Sequence, residues 1–250
     1  MGMKKPKLAP RSISAIDLFP KHVRTFRILA MGESLVRWMG VWTGLGNKPG
    51  DVNMGINLVP GWIPKMVTHG IAMDDLKDDR ERGHKAYVDL VESVRKVPMF
   101  VSTKHPHLSG NFFEYPLGEI DFSLAGIGVP PHARQHLWVN TLVYAAAMAL
   151  WLNIKGRGVE RVEIFGWSHR ERESTKRPGN WRDYHGVRRQ YEPGGDEMAY
   201  LLSKLDSRGV EWEVQAGDPL MGEDRYPMLH GYHKDKMWNS ASAGWKQARD

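Results

Sequence analysis

Short apolar runs, separated by polar and glycine-rich stretches, recur along this chain. Phe26-Arg27-Ile28-Leu29-Ala30-Met31 ends at Gly32, residues 51–57 and 66–73 form two further runs, and Met99-Phe100-Val101-Ser102 follows Pro98. Their lengths suit strands, and the Gly, Pro and Asp residues around them mark where each begins or stops. Val162-Glu163-Ile164-Phe165-Gly166-Trp167 and Val210-Glu211-Trp212-Glu213-Val214 read the same way, the latter by alternation. Between them the period changes. Tyr87, Leu90, Val91 and Val94 recur at helical spacing within residues 78–96, as do Met198, Leu201, Leu202 and Leu205 ahead of Gly209. Ser34 suits the N-cap of a helix that follows the first run. Residues 104–139, rich in Gly, Pro and His, are expected to be long loops with short pieces of structure.

The strongest predicted element spans residues 140–155. Asn140 and Thr141 are suited to cap it, Gly156 and Gly158 to end it, and residues 142–152 are apolar without interruption. A helix apolar on all sides is buried on more than one face. Eleven residues fall well short of the roughly 20 that span a bilayer, so this is a core helix. Strand-like runs alternating with helical segments imply crossover units. The expected fold is therefore α/β, a mostly parallel Rossmann-like sheet with helices on both faces. The expected organisation is a basic, flexible tail over residues 1–24, one domain over 25–235 and a C-terminal tail over 236–250.

Composition narrows the chemistry. The 250 residues include no Cys, which excludes thiol nucleophiles, disulfides and Cys-based metal centres. Met1 to Arg11 lacks the apolar core of a signal peptide, and the expected location is the cytoplasm. The formal charge is +6, and it is unevenly placed. Residues 1–21 carry five Lys/Arg against one Asp, and residues 169–189 carry seven Lys/Arg against three Asp/Glu. Each segment is therefore net +4, which leaves the remainder at −2. Such a basic loop invites an anionic partner.

In open parallel sheets, ligands collect beyond the carboxyl ends of the strands. That rule nominates the Gly32-Glu33-Ser34 turn, Asn57, Asp74-Asp75, and Ser168-His169. A turn feeding a helix offers backbone N–H groups and the Ser34 hydroxyl to a phosphate, although a plain N-cap explains the same residues. Neither a dinucleotide glycine fingerprint nor a P-loop is present, which disfavours nicotinamide dehydrogenases and P-loop ATPases. Asp74 and Asp75 are the residues that could hold a divalent metal, and equally ordinary turn and cap residues. Tyr184-His185 sits among Arg182, Arg188 and Arg189, cations that lower a His pKa and keep the imidazole able to accept a proton.

The series Ile28-Leu29-Ala30-Met31-Gly32-Glu33-Ser34-Leu35, Gly55-Ile56-Asn57, and Asn140-Thr141-Leu142-Val143-Tyr144 through to Gly166 resembles a Rossmann-like superfamily. It includes bacterial lipooligosaccharide sialyltransferases, 6-hydroxymethylpterin pyrophosphokinase-like proteins and related phage proteins. Met31, Glu33 and Ser168 depart from its pattern. The resemblance implies that Gly32, Ser34, Asn57, Asn140, Thr141, Gly166 and Ser168 meet a nucleotide. It implies that His185 is the general base, and Arg182, Tyr184, Arg188 and Arg189 would then contact an acceptor or its phosphates. The leading expectation is a glycosyltransferase that uses a nucleotide-sugar donor and acts on a hydroxyl of an anionic acceptor, a glycan or modified DNA. Two alternatives stand beside it. One is a diphosphate transferase using ATP and Mg²⁺ held by Asp74 and Asp75. The other is a non-catalytic nucleic-acid binder, in which Trp181 and Tyr184 stack bases among the arginines.

Overall fold

The structure, a computed structural model, describes residues 13–30, 35, 42, 46–57, 59–73, 97–102, 111–138, 140–166 and 195–214. Its frame is a seven-stranded sheet: β1 (Thr25–Leu29), β2 (Asp51–Ile56), β3 (His69–Ala72), β4 (Met99–Val101), β5 (Phe112–Glu114), β6 (Arg161–Phe165) and β7 (Glu211–Val214). Their order is β5-β4-β3-β2-β1-β6-β7, and every pairing is parallel. The expected α/β sheet is thus observed, with all seven strands in one direction. Five helices accompany it among the described residues: α1 (Val59–Trp62), α2 (Leu117–Gly126), α3 (Pro131–His136), α4 (Thr141–Ile154) and α5 (Gly195–Asp206). None is long and apolar enough to cross a membrane.

Side-chain alternation sorts the sheet into two unlike faces. Phe26 and Ile28 of β1, Val52 and Met54 of β2, Val162 and Ile164 of β6, and Trp212 of β7 point to one face. There they meet α4, which is buried from Thr141 to Leu152 except at Tyr144, together with α2 and α5. Leu29 and Phe165 point to the other face, with Val59 and Ile63 and with Leu35, which is helical and fully buried. Closer to the strand starts, that second face is charged instead. Arg27 donates to Asp51 and to Glu163, each at 2.7 Å, and Arg161 joins Glu163 to Glu213. The ladder crosses β2, β1, β6 and β7, so each half-buried charge is paired by a neighbouring strand.

Close approach on the second face is set by two glycines. Gly55 and Gly70 are cross-strand partners on β2 and β3. A Cβ on either would come within 2.9 Å of the Pro60 ring. Their missing side chains let α1 sit directly on the sheet, immediately after the end of β2.

Among the described residues, the short pieces of structure expected within 104–139 are β5, α2 and α3. β5 has three residues, too few to show alternation, and both helices follow Pro and are short. The tail expected over residues 1–24 is packed from residue 13 onward. Residues Ala15–Leu18 form a 3₁₀ helix, Phe19 and Val23 are buried, and the Phe19 ring stacks on His69 at 4.5 Å and on Phe100 at 5.5 Å. Ala15, Ile16, Leu18, Phe19 and Val23 are irregularly spaced around Pro20, so no periodicity betrayed them.

His69 fastens that segment to the sheet. Its Nε2 lies 2.9 Å from the Leu18 carbonyl, which only accepts, so Nε2 carries the proton. Nδ1 then accepts from the Thr68 hydroxyl at 2.9 Å, and that hydroxyl accepts from the Asn53 N–H at 2.8 Å. Burial lowers the His69 pKa from 6.5 to about 4, against the raising influence of the Leu18 carbonyl. The unfolded chain therefore binds the extra proton first as pH falls. Stability is complete above pH 6.5 and declines towards pH 4, by up to about tenfold in the folding equilibrium per pH unit. Urea-unfolding midpoints measured from pH 7 to pH 4 should fall through this window, and His69→Gln should flatten that part of the profile. An unchanged profile in the variant would contradict the assignment.

Candidate functional site

The order of the strands defines where a crevice forms. From β1 the chain proceeds outward through β2, β3, β4 and β5, then returns to the opposite side of β1 as β6. The switch point is the β1–β6 pair, sealed at its end by the Ala30 N–H donating to the Phe165 carbonyl at 2.9 Å. Segments after β1 and β2 contribute Leu35 and α1 to the second face, whereas α5, after β6, covers the first. Connections that part in this way leave open the carboxyl end of the sheet between them.

Asn57 follows β2 at this end. It has φ of +51°, the only positive φ of a non-glycine among the described residues, and its N–H donates to the Ile71 carbonyl of β3 at 2.7 Å. Left-handed backbone there turns the chain off β2 and directly into α1. Asn tolerates that conformation better than most L-residues, although at a steric cost. Gly166 follows β6 at the same edge with φ of +73°, which glycine adopts without strain.

The start of α4 reaches this edge too. Asn140 caps the helix, its Oδ1 accepting from the Val143 N–H at 3.0 Å, as its identity and position suggest. Thr141 is almost fully buried, and its Oγ1 accepts from the Met73 N–H at 3.4 Å, just beyond the end of β3. Because α4 packs across β1, β2 and β3, its positive dipole end is held over the ends of these strands. Asn57, Asn140, Thr141 and Gly166, four of the expected nucleotide contacts, are thus collected at one edge. Asn140 and Thr141 also have structural duties there, as cap and as tie to β3. Gly32, Ser34, Asp74, Asp75, Ser168, Arg182, Tyr184, His185, Arg188 and Arg189 lie outside the described residues. Among the described residues no group of three His, Asp or Glu side chains is placed to hold a metal ion.

One group at this edge escaped the sequence reading. Tyr115, directly after β5, donates its N–H to the Val101 carbonyl at 2.9 Å and its hydroxyl to the Tyr144 carbonyl of α4 at 2.8 Å. Burial, and secondarily Tyr144, pushes the Tyr115 pKa well above its ordinary value, so it stays a neutral donor. Trp138 completes an aromatic trio with Tyr115 and Tyr144. The available signal was two aromatic residues bracketing the Asn140 cap, at positions 138 and 144.

The backbone geometry at Asn57 makes a direct prediction. Asn57→Gly should retain stability within about 1 kcal/mol, while Asn57→Val should lose about 2 kcal/mol, because a β-branched side chain resists positive φ. Urea-unfolding midpoints of the two variants check this, and equal tolerance of Val and Gly would contradict the left-handed turn. Comparison with known proteins adds no relative to this geometry: no family model, no curated protein and no solved structure matches the chain.

Proposed function

We propose that the carboxyl edge of the sheet binds a nucleotide-type small molecule and that the protein is a nucleotide-sugar-dependent glycosyltransferase. The observation that supports this reading is the convergence of Asn57, the start of α4 and Gly166 on the edge where the strand order reverses. A positive helix end beside tight backbone turns suits phosphate, and amide and hydroxyl side chains suit a ribose or base. The resemblance of the Ile28–Leu35, Gly55–Asn57 and Asn140–Gly166 segments to the sialyltransferase-containing superfamily supports the choice of a sugar donor.

In the proposed reaction, an acceptor hydroxyl attacks the anomeric carbon of the donor while the bond from that carbon to the phosphate oxygen breaks. The departing phosphate keeps the electron pair, and the hydroxyl proton passes to His185. Arg182, Arg188 and Arg189, with Tyr184, would hold an anionic acceptor such as a glycan or modified DNA, or offset the charge released on the phosphate. Gly32 and Ser34, which follow β1 in sequence, would add phosphate contacts.

A thermal-shift series with CMP, UDP, GDP, ADP and ATP, with and without Mg²⁺, tests the binding half. One nucleotide should raise the melting temperature in proportion to the logarithm of its concentration above Kd. His185→Ala should keep that shift while transfer from the matching nucleotide sugar falls about 100-fold or more. Absence of any shift would remove the nucleotide reading, and full transfer by His185→Ala would remove the base.

A further inference from the structure

Three aromatic rings meet beside the start of α4, and the two outer ones are not sealed into the core. Tyr115 is buried, with its ring edge-on to Tyr144 at 5.1 Å and 79° and to Trp138 at 6.4 Å and 71°. Trp138 and Tyr144 lie 4.9 Å apart with planes inclined by 43°, and both are only partly buried. The trio is tied to the carboxyl edge at both ends: Tyr115 through its backbone bond to Val101 at the end of β4, Tyr144 through the Tyr115 hydroxyl. Trp138 is held from the other side, two residues before the Asn140 cap and following α3.

We propose that Trp138, backed by Tyr144, forms an aromatic shelf that stacks a planar heteroaromatic ring, the base of the nucleotide-type ligand. The proposal rests on the reading of this edge as a nucleotide site and names the part of the ligand that the shelf takes. Unlike Tyr115, these two are only partly buried where they pack against the core, near the end of the sheet where ligands collect. The buried Tyr115 supports them: its hydroxyl holds the first turn of α4 at the Tyr144 carbonyl, and its ring packs edge-on against both, which limits the freedom lost on binding. Stacking tolerates any base because every base has a π-face. Choice among bases would then come from polar groups at the ring edges.

Isothermal titration calorimetry on the full chain separates the shelf from the site as a whole. The ligands are CMP, UDP, GDP, ADP and ATP, and ribose 5-phosphate as the ligand without a base. Trp138→Met keeps an apolar side chain of comparable reach but no ring, and should weaken the best-bound nucleotide roughly tenfold or more while leaving ribose 5-phosphate unchanged. Trp138→Phe should recover most of the nucleotide affinity. Equal loss for nucleotide and ribose 5-phosphate, or no loss for either, would overturn the shelf and leave the nucleotide site standing. No binding of any nucleotide by the wild-type protein would overturn both. Should Trp138→Met fail to fold, Trp138→Leu or Trp138→Gln, which also remove the ring, takes its place with the same outcomes deciding.

Discussion

A helix of fourteen residues that is apolar on every side has no face to give to water, and α4 is such a helix. It can exist only where protein surrounds it. The sheet supplies one side through Phe26, Ile28, Val52 and Met54, and α2 and α5 supply the others. Burying a side chain of the size of Leu150, Trp151 or Leu152 stabilises the fold by about 1.5–3 kcal/mol relative to exposure. α4 therefore anchors the first face of the sheet. Its first turn is fixed in consequence: the Asn140 cap, the Thr141 tie to Met73 and the Tyr115 bond to Tyr144 all bear on the same few residues. The placement of the candidate site follows from where a wholly buried helix must begin.

The second face solves a different problem. At the carboxyl half, Gly55 and Gly70 withhold side chains so that Pro60 can rest against β2 and β3, and α1 can start as soon as Asn57 has turned the chain. At the amino half, Arg27 and Arg161 bind Asp51, Glu163 and Glu213 into one ladder. Every member of that ladder has a partner, and it lies at the opposite end of the strands from Asn57 and Gly166. It stiffens the sheet and is not counted in the candidate site. His69 belongs to the same end and holds residues 13–19 against β3 through Leu18 and Phe19.

Most of the framework could be read in the chain because parallel strands buried on both faces are continuous apolar runs, and α4 carries an unbroken one. The boundaries of β1, β2, β4, β6 and β7 fall within one or two residues of those runs. What stayed hidden lacked a period. β5 is three residues long, α2 and α3 follow prolines within a Gly- and Pro-rich stretch, and Phe19 and Val23 belong to no periodic run and pack through tertiary contacts. The site was legible by rule more than by motif. Asn57 was nominated because it follows a strand and Gly166 through the resemblance, and the structure adds what no spacing carries, a positive φ at both. Asn140 was legible as a cap from its identity. The Trp138–Tyr144 pair was not, because its meaning depends on Tyr115, which reaches it from β5 across the fold.

The central claim is that the ligand end of this protein is the carboxyl edge, between the ends of β2 and β6 and the start of α4. Amide hydrogen exchange, with and without saturating concentrations of the nucleotide that stabilises the protein, tests it most directly. Exchange should slow at residues 56–57, 141–144 and 166, while the amino edge around residues 51, 69 and 161 remains unchanged. Protection confined to the amino edge, with none at Asn57 or the first turn of α4, would contradict the account.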